Sequence, residues 1–553
     1  MLKITCPDGK IHQYAEGTTY LDIAADFGFL YQTPIAEAVV DGRGVSLQGT
    51  VKKDCSLDFL ELNTPEGNRA YVRTLLFAFI VAMGKKRPEV ELEVQNAVGD
   101  ALFCQVKNEI VLSKYDLEDV SAAMRAMIAS KAPVQLHMVT RKQARELVKP
   151  RLYQDTLPLL SSLTDTEYFP LFSLEGEYDF FMGPVLPDLG YLAGFELLNY
   201  EGGIVICYPQ GPDYTVVPDF VATPKLSAVY KMSEELGQRI GCPTVAALNK
   251  FIKDGNSRGI IQICEAQQEK QIAQVADIIS QSQHQIKLVL IAGPSSSGKT
   301  TFSQRLAVQM RVNGLNPMPV SLDNYFKERK STPRLPDGSY DFESINALDL
   351  DLFNDHLQRL TSGETVKIPH YSFRNGTREF RGQSICLGEN GVLVVEGIHG
   401  LNELLSQTIA KEHKLKIYIS ALTPLSFDDY NRIHTTDMRL LRRMVRDSQF
   451  RSHDALGTLQ GWSKVREGEE KYIFPFAEDA DVMLNTTLIY EFAVFKKYAE
   501  PLLQAIPKDV PEAAEAQRLL SMLSFVTSID DEAVPTNSII REFVGGSIFG
   551  DLL

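Results

Sequence analysis

The chain has 553 residues, which at about 150 residues per domain allows three or four domains. Hydrophobic residues make up 44% and charged residues 23%, an ordinary globular composition that excludes a wholly disordered protein. The 71 acidic residues outnumber the 56 basic ones, for a net charge of −15; this argues against a general nucleic-acid binder, which needs a basic surface.

The seven cysteines are scattered, with no C-x-x-C pair. That pattern excludes a zinc ribbon and a disulfide scaffold and predicts a reducing compartment. The opening MLKITCPDGK lacks a basic region followed by an apolar stretch, and the longest apolar run, residues 75–83, is too short to span a bilayer. The expectation is a cytoplasmic protein without a membrane partner.

In chain order, residues 2–5 and 11–14 read as short strands about the turn Pro7-Asp8-Gly9-Lys10, where proline presets φ and glycine accepts φ > 0. Thr18 or Thr19 is placed to cap a helix over 20–27 that ends at Gly28. Strands over 36–40 and 57–62 complete a small sheet with one helix. Residues 65–222 read as mixed: a buried helix over 71–83 closed by Gly84, an amphipathic helix over 117–130, and strands and turns over 168–209. Residues 226–284 read as mostly helical and polar. Apolar runs at 287–292, 392–395, 415–420 and 481–484 are separated by helical patterns, the signature of a parallel sheet covered on both faces. Residues 491–553 read as helical and then extended.

The front half carries a resemblance. Pro7-Asp8-Gly9, Gly17-Thr18-Thr19 and the helix at Asp22-Ile23-Ala24 resemble a TGS domain, the β-grasp module that opens threonyl-tRNA synthetases. Residues 63–209 resemble the editing domain of that enzyme, best over Asp179-Phe180-Phe181-Met182-Gly183-Pro184-Val185. The editing chemistry of that family rests on two His, one Cys and a further His. Here those positions read Ala70, Thr74, Phe181 and Val185, none able to bind a metal or move a proton at neutral pH. The resemblance therefore implies an inactive relative with a filled pocket, serving binding, regulation or assembly.

The run at 287–292 leads directly into Gly293-Pro294-Ser295-Ser296-Ser297-Gly298-Lys299-Thr300, the G-x-x-x-x-G-K-[ST] phosphate loop, and an amphipathic stretch over 300–312 follows. Small residues let successive amides turn toward phosphate oxygens, and the helix N-terminus adds partial positive charge. The nucleotide-binding set is Gly293, Ser295, Ser296, Ser297, Gly298, Lys299, Thr300 and Thr301. Lys299 is placed to reach the β and γ phosphates of ATP, and the Thr300 hydroxyl to coordinate Mg²⁺. No N-K-x-D follows, so a guanine-reading GTPase is not indicated. A P-loop domain of only about 200 residues argues against a helicase or motor.

Further motifs follow: Val320-Ser321-Leu322-Asp323-Asn324-Tyr325-Phe326, Tyr340-Asp341-Phe342-Glu343, Ile368-Pro369-His370-Tyr371, Val394-Val395-Glu396-Gly397-Ile398, and a helix bearing Arg439, Arg442, Arg443 and Arg446. In this order and spacing, residues 288–486 resemble the uridine kinase and phosphoribulokinase family. The resemblance makes Asp323 the catalytic base, and a carboxylate at a strand end suits that task. Glu396 also ends an apolar strand, where it can hold Mg²⁺ directly or through water. Arg442, Arg446 and Arg451, with Arg443, look like the family's lid; Arg442 and Arg446, spaced i and i+4, are expected to share a face opposite Leu441 and Val445. Tyr325, Glu343 and Tyr371 fall on the substrate side by analogy. Glu343 stands where an Asp is usual, and no His lies near Asn375-Gly376, where the family reads its pyrimidine.

The predicted fold class is α/β: a P-loop parallel-sheet kinase domain behind an N-terminal β-grasp (TGS) domain and an α+β editing-like domain. The expected boundaries are 1–62, 63–222, a helical connector at 223–285, the kinase-like domain at 286–490 and a helical extension at 491–553. The leading expectation is ATP- and Mg²⁺-dependent phosphorylation of a nucleoside 5′-hydroxyl, uridine or cytidine first. Its rivals are a kinase of another sugar or alcohol of the phosphoribulokinase group, and a nucleotide-switched, RNA- or ribosome-associated regulator whose front half binds RNA. The acidic balance gives that RNA partner no support; a homo-oligomer is compatible with the sequence.

Overall fold

The computed structural model describes residues 1–108, 110–148, 156, 158–160, 167–210, 213–282, 286–336, 338–372, 375–380, 384–451 and 453–550. The first sheet has five strands in the order Ile11–Tyr14, Leu2–Thr5, Cys55–Glu61, Ile35–Val40, Arg43–Val45, and the helix Tyr20–Phe27 packs on it. Thr19 caps that helix by accepting from the Asp22 N–H. Ile23, Phe27, Leu57 and Phe59 form the centre of this small core.

A long helix, Pro65–Lys86, follows. It starts at Thr64, whose side chain accepts from Gly67 N–H, and continues through Gly84. Gly84 does not close it, contrary to the pattern: the helix buries residues 74–83 in succession, and that tertiary burial outweighs the roughly 1 kcal/mol cost of an interior glycine. Around it stand a four-stranded antiparallel sheet (Glu196–Tyr200, Gly203–Cys207, Ala101–Val106, Leu92–Val98) and a three-stranded one (Glu177–Asp179, Tyr168–Leu174, Val134–Thr140). The four positions where editing enzymes keep ligands are core here. Ala70, Thr74, Phe181 and Val185 are all buried, Phe181 lies 5.2 Å from Phe77 between ring centroids, and Thr74 Oγ1 donates to Ala70 O and accepts from Leu186 N–H.

Three helices, Pro224–Arg239, Val245–Lys253 and Ser257–Gln281, come next; the end of the helical reading, 283–284, lies outside the described residues. The last of them packs along Lys299–Val312, where Arg305 bonds Glu269. The second large sheet is wholly parallel, in the order Asn316–Ser321, Gly391–Glu396, Leu288–Ala292, Lys414–Ser420, Val482–Asn485. Its central strand is buried throughout, as the continuous apolar run requires when helices cover both faces. One hydrophobic cluster runs from Leu75 and Phe181 through Phe427 to Phe525 and Phe543, joining front and rear. The polar seam beside it is specific: Asn431 donates to Phe180 O and accepts from Met182 N–H, and Val94 N–H bonds Asp429 O.

Among the described residues no helix is long and apolar enough to cross a membrane. The seven cysteines are all free thiols.

Candidate functional site

The parallel strands end at one edge. Register pairs Ile291 with Glu396 and Ser321 with Glu396, so Gly293, Asp323 and Glu396 emerge side by side at the carboxyl ends, where α/β sheets build their sites. The phosphate loop fills this edge. Gly293 is required by space: a Cβ there would stand 2.1 Å from Ile419 O. Ser296 and Gly298 both adopt positive φ, +59° and +86°, which turns the chain back into the helix Lys299–Val312.

Carbonyls of this loop are drawn outward by neighbouring donors. Arg439 Nε donates to Ser295 O (3.0 Å), Arg442 Nη1 to Ser296 O (3.2 Å) and Thr486 Oγ1 to Ser297 O (2.6 Å). With these carbonyls held by other donors, the loop amides not already bonded, those of Ser296, Gly298, Lys299 and Thr300, are left to meet an anion. Glu469 accepts from Ser295 N–H at 2.9 Å and pairs with Arg439.

Lys299 Nζ lies 2.9 Å from Gly293 O and 3.1 Å from Pro294 O. Burial pulls its pKa down, against the pull of Glu396, Asp323, Glu542 and Glu469. Asp323 is exposed, yet the protein packed around it raises its carboxyl above the usual range, with Lys299, Arg451 and Arg446 acting the other way. Glu396 is pushed up to about 7 by burial first and the Asp323 charge second. Two carboxylates raised by burial, one of them also by the charge of the other, form a site that a divalent cation would relieve. No group of three or more His, Cys, Asp or Glu that could hold a metal occurs among the described residues. Asp323, Glu396 and the Thr300 hydroxyl nonetheless fit Mg²⁺, which takes one or two carboxylates and completes its shell with water and phosphate.

The arginine helix, Thr435–Phe450, divides its charges differently from the expectation. Arg442 is not a lid residue. It is fully buried and bonds Glu491 through Nε and Nη2, at 3.1 and 2.7 Å, while also holding Ser296 and Thr486. Burial with every nitrogen engaged makes it part of the scaffold under the loop. Its companion Arg446, one turn further along the same helix, bonds Asp447 instead. Asp447 gathers Arg443, Arg446 and Arg451, and Arg443 reaches the loop itself, 2.7 Å from Ser295 Oγ. The phosphate-facing candidates are therefore Arg443, Arg446 and Arg451.

Of the substrate-side residues, Glu343 joins the cluster. Burial raises it to about 7, with Glu469, Arg443, Lys299 and Asp323 within its field, and its side chain lies against Gly468, where a Cβ would be 2.6 Å away. Tyr325 does not join. It is buried and bonds His356 Nδ1 through its hydroxyl at 2.9 Å, packed on Phe353, because the short helical turn Leu322–Tyr325 rotates it into the core. Tyr371 is also buried, 5.6 Å from Phe326 between ring centroids, and forms a wall of the same lobe. Sequence reasoning missed His399, buried beside Tyr472 and pushed down to about 4 by desolvation, and the loop-binding carboxylates Glu469 and Glu542. Only His399 carried a signal, its position three residues after Glu396.

Residues 288–489 match the model of the "Phosphoribulokinase / Uridine kinase family". The chain is 30% identical over 228 residues to a uridine kinase of Mycoplasma pneumoniae, covering 39% of this chain and 96% of that protein. It is 27% identical over 195 residues to a uridine kinase of Deinococcus deserti, covering 35% and 84%. The front half is similar to threonine–tRNA ligases, that of Symbiobacterium thermophilum at 27% identity over 203 residues, 36% of this chain and 31% of the ligase. The chain thus spans only about a third of the length of those ligases. A phosphate loop on a parallel sheet, two carboxylates at neighbouring strand ends and nearly full-length similarity to a uridine kinase lead to one assignment: the chain belongs to the phosphoribulokinase / uridine kinase family.

Proposed function

We propose that the chain is an ATP-dependent kinase of a nucleoside 5′-hydroxyl, with uridine or cytidine as the first candidates. The observation that carries this reading is the convergence of Lys299, Asp323 and Glu396 at one sheet edge, with Arg446 and Arg451 acting on Asp323. In this reading the loop amides and Lys299 bind and align the phosphates. Asp323, its pKa raised by burial, accepts the proton of the attacking hydroxyl and orients it. Glu396, Asp323 and Thr300 would hold Mg²⁺, which when bound neutralises phosphate charge. Arg443, Arg446 and Arg451 meet the charge that spreads over the transferred group. Glu343 binds a substrate hydroxyl from the opposite wall.

Glu343 in place of Asp, and the lack of a histidine near Asn375-Gly376, support a second reading, a kinase of another sugar or alcohol. ADP release by the purified full chain, measured with Mg²⁺-ATP across pyrimidine nucleosides, purine nucleosides and free sugars, tests both. Turnover confined to pyrimidine nucleosides supports the first and turnover with a sugar alone the second. No turnover with any acceptor, with ATP still bound, favours a nucleotide-switched regulator.

A further inference from the structure

The family match ends at residue 489, yet residues beyond it reach into the phosphate loop. In the short helix Arg541–Val544, the Glu542 carboxylate accepts from the Thr301 N–H at 3.0 Å. Thr301 is the third residue of the loop's helix, and the first bond within the helix runs from Phe302 N–H to Gly298 O. Its amide is therefore one of the donors that a helix start leaves for an anion. Glu542 also acts on Lys299 and on Glu396, so its negative charge stands within the field of the phosphate site.

The rest of the segment seats this carboxylate. Ile539, fully buried, lies over Gly298, where a Cβ would be 2.8 Å from Ile539 Cγ2. The Phe543 ring lies under the Arg442 guanidinium, 5.1 Å from its centre. Arg541 is anchored to Asp531 and to Val534 O. An interior glycine, a buried arginine and a helix amide of the loop are all used by one segment.

We propose that residues 535–544 form an autoinhibitory latch, in which the Glu542 carboxylate takes the place of a nucleotide phosphate on Thr301 N–H and must yield when a nucleoside triphosphate binds. The proposal rests on the nucleotide-binding reading above. Phosphate and carboxylate compete for the same amide, and two such charges beside one helix start repel each other. The latch therefore reduces affinity for nucleotide until it is released.

The test is titration of a fluorescent ATP analogue into the full wild-type chain and into Glu542→Gln and Glu542→Ala, with hydrogen exchange of residues 535–545 followed with and without ATP. Removing a carboxylate from a helix start is expected to tighten nucleotide binding about three- to tenfold, and ATP is expected to raise amide exchange in 535–545 of the wild type. Equal or weaker binding by both variants, or a segment more protected with ATP than without it, overturns the latch while leaving nucleotide binding intact. If neither the wild type nor either variant binds the analogue, the nucleotide-site reading falls and takes the latch with it. The exchange measurement on the wild type decides the matter even where a variant folds poorly.

Discussion

Lys299→Ala removes the cation at the centre of the site. Its ammonium sits 2.9 and 3.1 Å from two loop carbonyls and feels Glu396, Asp323, Glu542 and Glu469 together. Without it, the phosphates of ATP would enter a region of four carboxylates with only Arg443, Arg446 and Arg451 as counter-charge, all three already gathered on Asp447. Two unit charges about 4 Å apart interact by about 4 kcal/mol at an effective dielectric of about 20. Water entering the vacated space recovers part of that. A remaining loss of at least about 2.7 kcal/mol corresponds to about a hundredfold slower transfer. The fold is expected to survive, because the two lost hydrogen bonds contribute about 1 kcal/mol each and the variant no longer buries an ammonium. The assay is coupled ADP release beside a thermal melt. Lys299→Arg is expected to rescue little, since a planar fork does not replace a compact charge. Undiminished turnover in a well-folded Lys299→Ala protein would refute the reasoning.

Asp323→Asn keeps the shape and removes the proton acceptor; transfer is expected to fall at least about a hundredfold while ATP-analogue binding persists, and collapse of binding with normal turnover of the bound fraction would move the base elsewhere. Glu396 titrates at about 7 when folded and near 4.3 when unfolded. Between those values the folded state holds a proton that the unfolded state has lost, so this stabilisation is complete below about pH 4 and is lost as pH rises through 7. Glu396→Gln should flatten the fall in stability between pH 5 and 8 by about 1–2 kcal/mol in urea denaturation, and parallel profiles would show that burial does not hold a proton on Glu396. Arg442→Met should cost about 3–5 kcal/mol by stranding buried Glu491, whereas Arg446→Met should slow transfer at nearly unchanged stability; the reverse pattern would restore Arg442 to a lid. The full chain should hold no stoichiometric zinc by elemental analysis and should not deacylate seryl-tRNA, because Ala70, Thr74, Phe181 and Val185 supply no ligand and no base; hydrolysis above background would revive the front half as a second enzyme.

The features legible in sequence are those set by local rules. The buried strand Leu288–Ala292 and the helix starting at Lys299 follow from an apolar run and a glycine turn. The helix Tyr20–Phe27 follows from its threonine cap. The strand-end positions of Asp323 and Glu396 follow from the same alternation. The burial of Arg442 was not legible, because its partner Glu491 lies 49 residues away and an i, i+4 pattern says nothing of which arginine faces inward. Tyr325 was misplaced because a one-turn rotation after the strand decides its side. Glu469 and Glu542 reach the loop from 174 and 241 residues downstream, and no local pattern marks a residue for such a contact.

The seam at Asp429–Asn431 has a consequence for how the molecule is held as a unit. That stretch stands immediately before the arginine helix, and it is bonded to Val94, Phe180 and Met182 of the front half. Phe525, from the far end of the chain, touches Phe180 on one side and Phe427 on the other. A fragment carrying the kinase-like sheet alone would present these rings and the Asn431 amide to water. The front half is thus no detachable appendage. It is packed and hydrogen-bonded to the segment that leads into the arginine helix, so a substitution at this seam bears on both halves.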